Sequence, residues 1–278
     1  MADAVILASG GFAANEELVG RYIIGGPGRM RVRAHPWSTG DGLLAALDVH
    51  ALASAGLDEF YGRNLPAPPA RFSAEEFVVV SQLYGRFAVA INANGERYAD
   101  EAADWSEAAL TRATARQPGL YAWYVLDAAG LESRIRERTA AQMVEAARRA
   151  GGTVLELPSI EGLADQLAQR GVPRNAVLRT LNEYNAAVAT GDGARLSPPR
   201  TGPAAPVRVP PFVAVKVAPT ITHTVGGLAA DAACRVLRRL DGRAIPGLYA
   251  AGVEVGGVST GGYTSGLASA LVFGGVAA

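Results

Sequence analysis

Residues 221–227, ITHTVGG, lie near the carboxyl end of a 278-residue chain and give the strongest indication of its fold. Two further glycine-punctuated segments follow it, residues 247–252 (GLYAAG) and residues 261–266 (GGYTSG). Glycines spaced in this way let the backbone approach a flat, polar ligand closely. The last segment opens a predicted helix of small residues over 267–277, and a helix N-terminus is a favourable seat for anionic oxygen. The three segments therefore predict one ligand site near the end of the chain.

Composition excludes several classes of protein. Lys+Arg and Asp+Glu both number 26, so the net charge is zero and no nucleic-acid footprint is expected. Cys234 is a single cysteine, which excludes an internal disulfide, and His35, His50 and His223 show no i, i+4 pair for a metal site. No secretory signal is recognisable, and the longest apolar stretch, 266–278, is too short and glycine-rich to span a bilayer. We expect a soluble cytoplasmic protein without a metal.

The periodicity of apolar residues predicts a mixed fold. A short buried strand is expected over 4–8, and the middle of the chain is rich in helix. Glycine-rich strand–loop–helix pieces flank that middle at both ends, which predicts a discontinuous domain with an insertion. Helices are predicted over 16–22, 42–53, 106–116, 128–138, 140–150, 159–170 and 175–190, and strands over 87–91, 121–127, 212–217, 236–240 and 248–251.

Together with the opening run AVILASGGF (4–12), these segments resemble the FAD-binding half of the fumarate reductase/succinate dehydrogenase flavoprotein superfamily, nearly end to end. The resemblance implies an α/β fold and FAD as cofactor. It implies a partial, Rossmann-like FAD-binding domain over 1–59 and 223–278, with an inserted α+β cap over 60–222.

One family motif is missing from the sequence. Members of the superfamily normally carry G-x-G-x-x-G in an N-terminal βαβ unit that holds the ADP part of FAD. No such motif lies between a predicted strand and helix, and GDGLLA at 40–45 follows a segment that cannot be a buried strand. We therefore expect the FAD-binding domain to be incomplete at its N-terminus.

Three motifs are similar to the family's cofactor-binding segments. TGDG at 39–42 contains Asp41, which either contacts FAD or only caps a helix, and HTVGG places His223 at the flavin with glycines that admit the ring. The family's A-G-E reads AGVE here, so Glu254 stands one residue late. It either reaches the FAD hydroxyls through a local bulge or is a surface carboxylate. The resemblance implies these cofactor-binding residues: Ala8, Ser9, Gly10, Thr39, Gly40, Asp41, His223, Gly252, Glu254, Gly266, Leu267 and Ala268.

The substrate side departs from the fumarate reductases. Tyr263 stands where they have an arginine that clamps a carboxylate. A tyrosine there resembles the 3-ketosteroid Δ1-dehydrogenase and tricarballylate-dehydrogenase-like branches, although Leu267 stands where the steroid pattern has glycine. A neutral phenol, with a pKa of about 10, can polarise a carbonyl, so Tyr263 is the catalytic candidate; alternatively it only packs against the flavin. The implied substrate-binding residues are Tyr61, Ser81, Thr222, Tyr263 and Gly266.

The segment NGERYADE (94–101) matches the family's N-x-x-G-x-R-F-x-x-E hairpin. Fumarate reductases carry their proton-donating arginine four residues beyond, where this chain has Trp105, and their acid relay falls near Ser81 and Tyr84. The dicarboxylate clamp and the relay are both missing, which disfavours the usual fumarate reduction. Arg97 and Glu101 are predicted to pair with each other and brace the cap.

The resemblance therefore implies an FAD-dependent oxidoreductase that acts on a CH–CH or C=C bond beside a carbonyl or carboxyl group of a small molecule. The alternative is a non-catalytic fragment, or one half of a split flavoprotein that needs a chain or segment supplying the ADP-binding unit. Such a half would expose an apolar face.

Overall fold

A computed structural model describes residues 2–25, 29–103, 108–258 and 266–278. It divides into two compact units, Met1–Gly62 with Ile221–Ala278, and Arg63–Thr220. The chain passes between them inside two strands, β3 (Phe60–Pro66) and β9 (Phe212–Thr224). The fold is mixed α/β. The assignment of the first unit to FAD binding and of the second to a cap stays a prediction.

The first unit joins both ends of the chain in one sheet. Its three strands lie in the order β1 (Val5–Leu7), β11 (Ala244–Ala250), β10 (Arg235–Leu237), and β1 runs parallel to β11. The carboxyl ends of β1 and β11 therefore lie side by side, the edge at which α/β sheets bind ligands. The other elements are α1 (Glu16–Val19), a π-helical turn (Gly20–Ile24), β2 (Arg31–Val32), α2 (Asp41–Asp48), a 3₁₀ turn (Gly252–Glu254) and α9 (Gly266–Ala277).

The prediction that the first strand is buried is wrong in this structure. Val5 and Ile6 are 49% and 44% exposed because β1 is the edge strand of its sheet. Helix α9 is apolar on all sides, yet none of its residues is buried, and Leu267 and Leu271 are 82% and 79% exposed. A helix that is apolar all round is normally buried. The first unit thus presents uncovered apolar surface on β1 and α9.

The second unit is built on antiparallel strands. Strand β5 (Ala122–Leu126) lies between β4 (Val89–Ile91) and β9, and β8 (Val154–Leu157) also pairs with β9. Side chains alternate between two cores: Tyr124 and Val215 belong to one, and Trp123 and Ala214 to the other. The helices are α3 (Phe77–Val80), α4 (Ala108–Ala115), α5 (Ala128–Leu131), α6 (Ala140–Arg149), α7 (Ile160–Ala168) and α8 (Arg174–Ala189).

Two helix predictions extend too far. The helix predicted over 128–138 ends at Leu131, and a hairpin of β6 (Arg134–Ile135) and β7 (Arg138–Thr139) follows, in which Arg136 has a φ of 58°. The next helix begins after Thr139, whose side chain forms a capping box with Gln142. Helix α2 ends at Asp48 because His50 adopts a left-handed conformation, with a φ of 65°.

Candidate functional site

Glu254 is the most deeply buried carboxylate of the first unit's predicted site residues, with 1% of its surface exposed. Its Oε2 accepts a hydrogen bond of 2.9 Å from the Ser9 hydroxyl. Its Oε1 is buried and has no hydrogen-bond partner among the described residues. Burial raises the pKa of Glu254, and this effect outweighs the side-chain hydrogen bond from Ser9 and the backbone N–H groups of Ser9 and Gly10, which lower it. The surface-carboxylate alternative for Glu254 is therefore wrong.

The Ser9 hydroxyl links Glu254 to the start of helix α2. The same oxygen accepts a 3.2 Å hydrogen bond from the backbone N–H of Gly42. A Cβ at position 42 would stand 2.6 Å from the Ser9 oxygen and 2.9 Å from Glu254 Oε1, so only glycine fits there. The turn 39–42 thus brings a helix N-terminus against a buried carboxylate and a hydroxyl.

The TGDG segment forms the start of helix α2. Gly40 is the N-cap, with a φ of 83°, and Asp41 is the first helical residue. The interpretation of Asp41 as the N-cap is therefore wrong. The Thr39 carbonyl accepts a hydrogen bond from the side-chain amide of Asn15. The side-chain oxygen of Asn15 also caps α1, because it accepts a hydrogen bond from the backbone N–H of Leu18. These contacts hold the turn in place.

The glycines of HTVGG have a structural role besides the predicted one, because the chain's own backbone packs against them. A Cβ at Gly226 would collide with the backbone of Leu57, and one at Gly227 would collide with the carbonyl oxygen of Glu254. Their missing side chains therefore admit the chain's own backbone. The Leu228 N–H donates to the same Glu254 oxygen at 2.7 Å, which fixes the turn that carries the buried carboxylate.

His223 lies beside a cleft of about 300 Å³ in the first unit. Its Nδ1 lies 3.1 Å from the Thr224 carbonyl oxygen, and its ring packs against Tyr61 with centroids 5.3 Å apart. Its Nε2 and the Thr224 hydroxyl oxygen are buried and have no hydrogen-bond partner in the described part of the chain. Burial lowers the pKa of His223 and outweighs the contact with Thr224, which raises it. The cleft is lined by His223, Thr224, Val225, Val253, Val255, Val258, Gly266, Ala268, Ser269, Val272 and Phe273.

Helix α9 begins at this cleft. Gly266 stands close to the His223 ring, since a Cβ on it would lie 3.9 Å from Nε2. Ala268 also lines the cleft, whereas Leu267 is exposed. Gly252, with a φ of 67°, starts the 3₁₀ turn that carries Glu254 inward and leaves Val253 in the cleft lining. Ala8 is exposed after β1.

The described residues predicted to bind substrate belong to both units. Tyr61 contacts His223, and the Thr222 hydroxyl accepts a 3.1 Å hydrogen bond from Arg33, a residue that the sequence analysis missed. Ser81 lies in the second unit, where it is buried and its hydroxyl donates to the Phe77 carbonyl at 2.6 Å. Its local hydrogen bond indicates a structural role. Tyr263 and Trp105 lie outside the described residues.

The predicted Arg97–Glu101 pair is confirmed and is larger than expected. Glu101 accepts from Arg97 at 2.6 Å and from Arg200 at 3.0 Å, and all three side chains are almost fully buried. Both guanidinium groups also lie over the Tyr184 ring, at 5.8 and 5.5 Å. Tyr84 lies elsewhere in this unit, where its hydroxyl donates to Gln82 and burial raises its pKa.

Comparison with known proteins decides the family. Residues 1–269 match the model of the FAD binding domain family. The chain belongs to this family. The resemblance predicted from the glycine segments is thus confirmed. The prediction of FAD as the cofactor of this family is confirmed as well.

The relatives of this FAD-binding chain are oxidoreductases. A probable fumarate reductase of Shewanella frigidimarina is 29% identical over 281 residues, which cover 99% of this chain and 43% of the relative. The 3-oxosteroid 1-dehydrogenase of Mycobacterium tuberculosis is 26% identical, over 89% of this chain and 46% of the relative. The chain therefore spans less than half the length of these curated relatives.

Solved structures share the fold. A 3-ketosteroid Δ1-dehydrogenase from Sterolibacterium denitrificans, in complex with 1,4-androstadiene-3,17-dione, superposes with a TM-score of 0.73 at 23% identity, over 99% of this chain and 52% of that one. A flavocytochrome c3 fumarate reductase in its open conformation gives a TM-score of 0.62 at 28% identity, over 99% and 45%. Within the described residues, no helix has the length and apolarity needed to cross a membrane.

Proposed function

We propose that the first unit binds FAD and that the protein is an oxidoreductase acting on a CH–CH or C=C bond beside a carbonyl or carboxyl group. The observation that carries the proposal is the set of three buried polar atoms without described partners: Glu254 Oε1, Thr224 Oγ1 and His223 Nε2. Buried polar atoms of this kind are costly unless a partner satisfies them. All three belong to the first unit, two of them at the cleft.

The donor and acceptor groups of the first unit fit FAD. Glu254 is an acceptor for hydroxyl groups of the cofactor's sugar or ribityl chain, and the N-terminus of α2, next to it, suits an anionic group. The apolar cleft at His223 suits one face of an aromatic ring, and the N-terminal turn of α9 adds a positive dipole end. When bound, FAD supplies hydride chemistry. The residues of the chain bind it, orient it and exclude water.

Two relatives support the proposal that the reacting bond lies beside a carbonyl or carboxyl group. By their names, one acts on fumarate and the other on 3-oxosteroids. Tyr263 is the candidate for polarising a substrate carbonyl, because it replaces the carboxylate-clamping arginine of the fumarate reductases. We therefore expect a ketone substrate. Turnover of 3-oxosteroids and of dicarboxylates, measured with a dye as electron acceptor or donor, tests this expectation.

The variant Tyr263→Phe separates catalysis from cofactor binding. Because the phenol polarises the substrate and does not hold the cofactor, turnover should fall by about 10²-fold or more while the flavin spectrum is retained. Stopped-flow reduction of the bound flavin by substrate measures this. Unchanged flavin reduction in Tyr263→Phe would remove the tyrosine from the mechanism.

The uncovered apolar surface of β1 and α9 supports a second proposal. We infer that a further polypeptide segment, in the same or a separate chain, covers Val5, Ile6, Leu267 and Leu271 and supplies the ADP-binding unit. The chain alone should then bind FAD weakly, and adding a βαβ unit that carries G-x-G-x-x-G should increase the affinity. Isothermal titration of FAD into the chain with and without that unit distinguishes the cases. Equal affinities would contradict the need for a partner segment.

A further inference from the structure

The turn between β10 and β11 is an exposed part of the first unit with an apolar side chain at its apex. The backbone N–H of Arg238 donates to the Arg243 carbonyl at 2.8 Å, and that of Gly242 donates to the Arg238 carbonyl at 2.9 Å. Gly242 closes the turn with a φ of 68°. These bonds place Leu240 at the apex, where it is 87% exposed, the largest exposed fraction among the large apolar side chains described.

The same turn carries an excess of positive charge. Residues 238–243 contain three arginines and one aspartate. Asp241 Oδ1 lies 3.7 Å from Arg238 Nε and accepts a hydrogen bond of 3.1 Å from the backbone N–H of Arg243. The side chains of Arg239 and Arg243 form no ion pair in the described part of the chain, and the nearby acidic side chain of Asp48 is exposed. Two guanidinium groups beside the apex therefore lack a described counter-ion.

The turn is fixed by backbone hydrogen bonds to the segment that follows α2. The Arg239 N–H donates to the His50 carbonyl at 2.8 Å, and the Leu52 N–H donates to the Leu237 carbonyl at 2.7 Å. Val49, in the same segment, is 55% exposed and adds a second apolar side chain beside the turn. Because the backbone is already ordered, binding through this turn costs little conformational entropy.

We infer that residues 238–243 attach the protein peripherally to an anionic phospholipid surface. Guanidinium groups bind phosphate oxygens through paired hydrogen bonds, so Arg239 and Arg243 suit lipid headgroups. Leu240, between them, loses contact with water when it enters the apolar boundary below the headgroups. A lipid surface thus complements both the charge and the apolar apex of the turn.

The size of the turn favours a lipid surface over an acidic protein. A stable protein–protein interface covers about 800 Å² on each partner, far more than six residues of a hairpin present. A lipid interface has no fixed shape and accepts a single protruding side chain.

The attachment is separate from the proposed cofactor site. The turn lies at the amino end of β11, and the edge proposed to bind FAD lies at its carboxyl end. The seven residues of this strand place the two ends about 20 Å apart, since each residue advances the strand by about 3.3 Å. Vesicle binding should therefore be the same with and without FAD, and its failure would leave the proposed function untouched.

Co-sedimentation of the whole chain with vesicles tests the inference. Vesicles of equal parts phosphatidylserine and phosphatidylcholine should bind the chain about tenfold or more strongly than phosphatidylcholine alone, and high salt should remove the difference. Equal binding to both kinds of vesicle would overturn the inference, because it would come from the uncovered apolar surface of β1 and α9.

The double variant Arg239→Gln/Arg243→Gln should weaken binding to the anionic vesicles by about tenfold or more, because each arginine near such a surface contributes about fivefold. The matched control is Arg134→Gln/Arg136→Gln, which removes the same charge from exposed residues of the β6–β7 hairpin in the second unit. The control should bind as the natural protein does, and thermal unfolding shows whether both variants fold. Equal losses in the two variants would indicate attraction by net charge and overturn the assignment to this turn.

The variant Leu240→Trp reports whether the apex enters the lipid. Its emission, measured as the difference from the natural protein with its three tryptophans, should shift to the blue with anionic vesicles. Soluble polyglutamate carries negative charge without an apolar layer, so it should bind more weakly and cause no shift. Polyglutamate binding as strong as vesicle binding, with no blue shift on vesicles, would identify an acidic protein as the partner and overturn the lipid assignment.

Discussion

The first unit buries the Glu254 side chain and the Nε2 atom of the half-buried His223 at an energetic cost. Glu254 holds one oxygen against Ser9 and leaves the other without a described partner, and burial raises its pKa. Burial of an ionised group without full hydrogen bonding lowers stability unless a ligand completes the site. The two side chains therefore connect cofactor binding to the stability of the unliganded protein.

Replacing Glu254 with glutamine should change how stability depends on pH. Because the folded-state pKa is raised, Glu254 stabilises the natural protein fully below the unfolded pKa of about 4.5. That stabilisation is lost as pH rises through the folded pKa. The free energy of unfolding of the natural protein should therefore fall relative to Glu254→Gln as pH increases from about 4.5, by on the order of 1 kcal/mol. Urea unfolding without FAD at several pH values measures the difference, and parallel profiles would show that Glu254 does not titrate in a buried site.

At the scale of the elements, close backbone contacts hold the turns that carry these side chains. The Cβ position of Gly227 is occupied by the Glu254 carbonyl, and Gly42 faces Ser9 and Glu254 Oε1. The HTVGG glycine that resembles part of a ligand site thus also allows two stretches of the chain to pack closely, residues 226–228 against residues 254–256. This close packing positions Glu254.

The variant Gly227→Ala should destabilise the protein by about 3 kcal/mol, because the new methyl group must displace backbone that cannot move independently. Gly275→Ala is the matched control: position 275 lies inside α9 with open space around it, so alanine should be neutral or stabilise by up to about 1 kcal/mol. Thermal unfolding of both variants measures this. Similar losses in the two would indicate that the 227 contact is not tight.

In the second unit, the buried ion triad of Arg97, Glu101 and Arg200 holds separate stretches of the chain together. Glu101 joins Arg97 on the hairpin segment to Arg200 on the connection before β9, and Glu101→Gln would leave two buried guanidinium groups without their counter-charge. We expect a loss of about 3–5 kcal/mol. Arg148→Met, which breaks exposed pairs with Glu145 and Glu156, should cost less than about 1 kcal/mol. Calorimetry of both variants tests this, and a Glu101→Gln protein as stable as Arg148→Met would contradict it.

At the scale of the whole molecule, the sequence predicted the helix starts and turns that depend on short local motifs. The start of α1 at Glu16, the turn at Gly95 and the glycine segments at both ends follow from local chemistry. The link between Ser9 and Glu254 joins residues 245 positions apart, and Arg200 meets Glu101 across 99 positions. No local pattern encodes such pairs. The exposure of β1 was mispredicted for a related reason, since an apolar strand does not indicate what covers it.

We propose that FAD binds to the first unit, at the edge formed by the carboxyl ends of β1 and β11 and the start of α9. Amide hydrogen exchange, followed by mass spectrometry with and without saturating FAD, tests it most directly. We expect FAD to slow exchange within residues 8–11, 40–43, 222–227, 252–255 and 266–273, with smaller changes elsewhere. Unchanged exchange in these segments, or protection confined to residues 63–220, would contradict it.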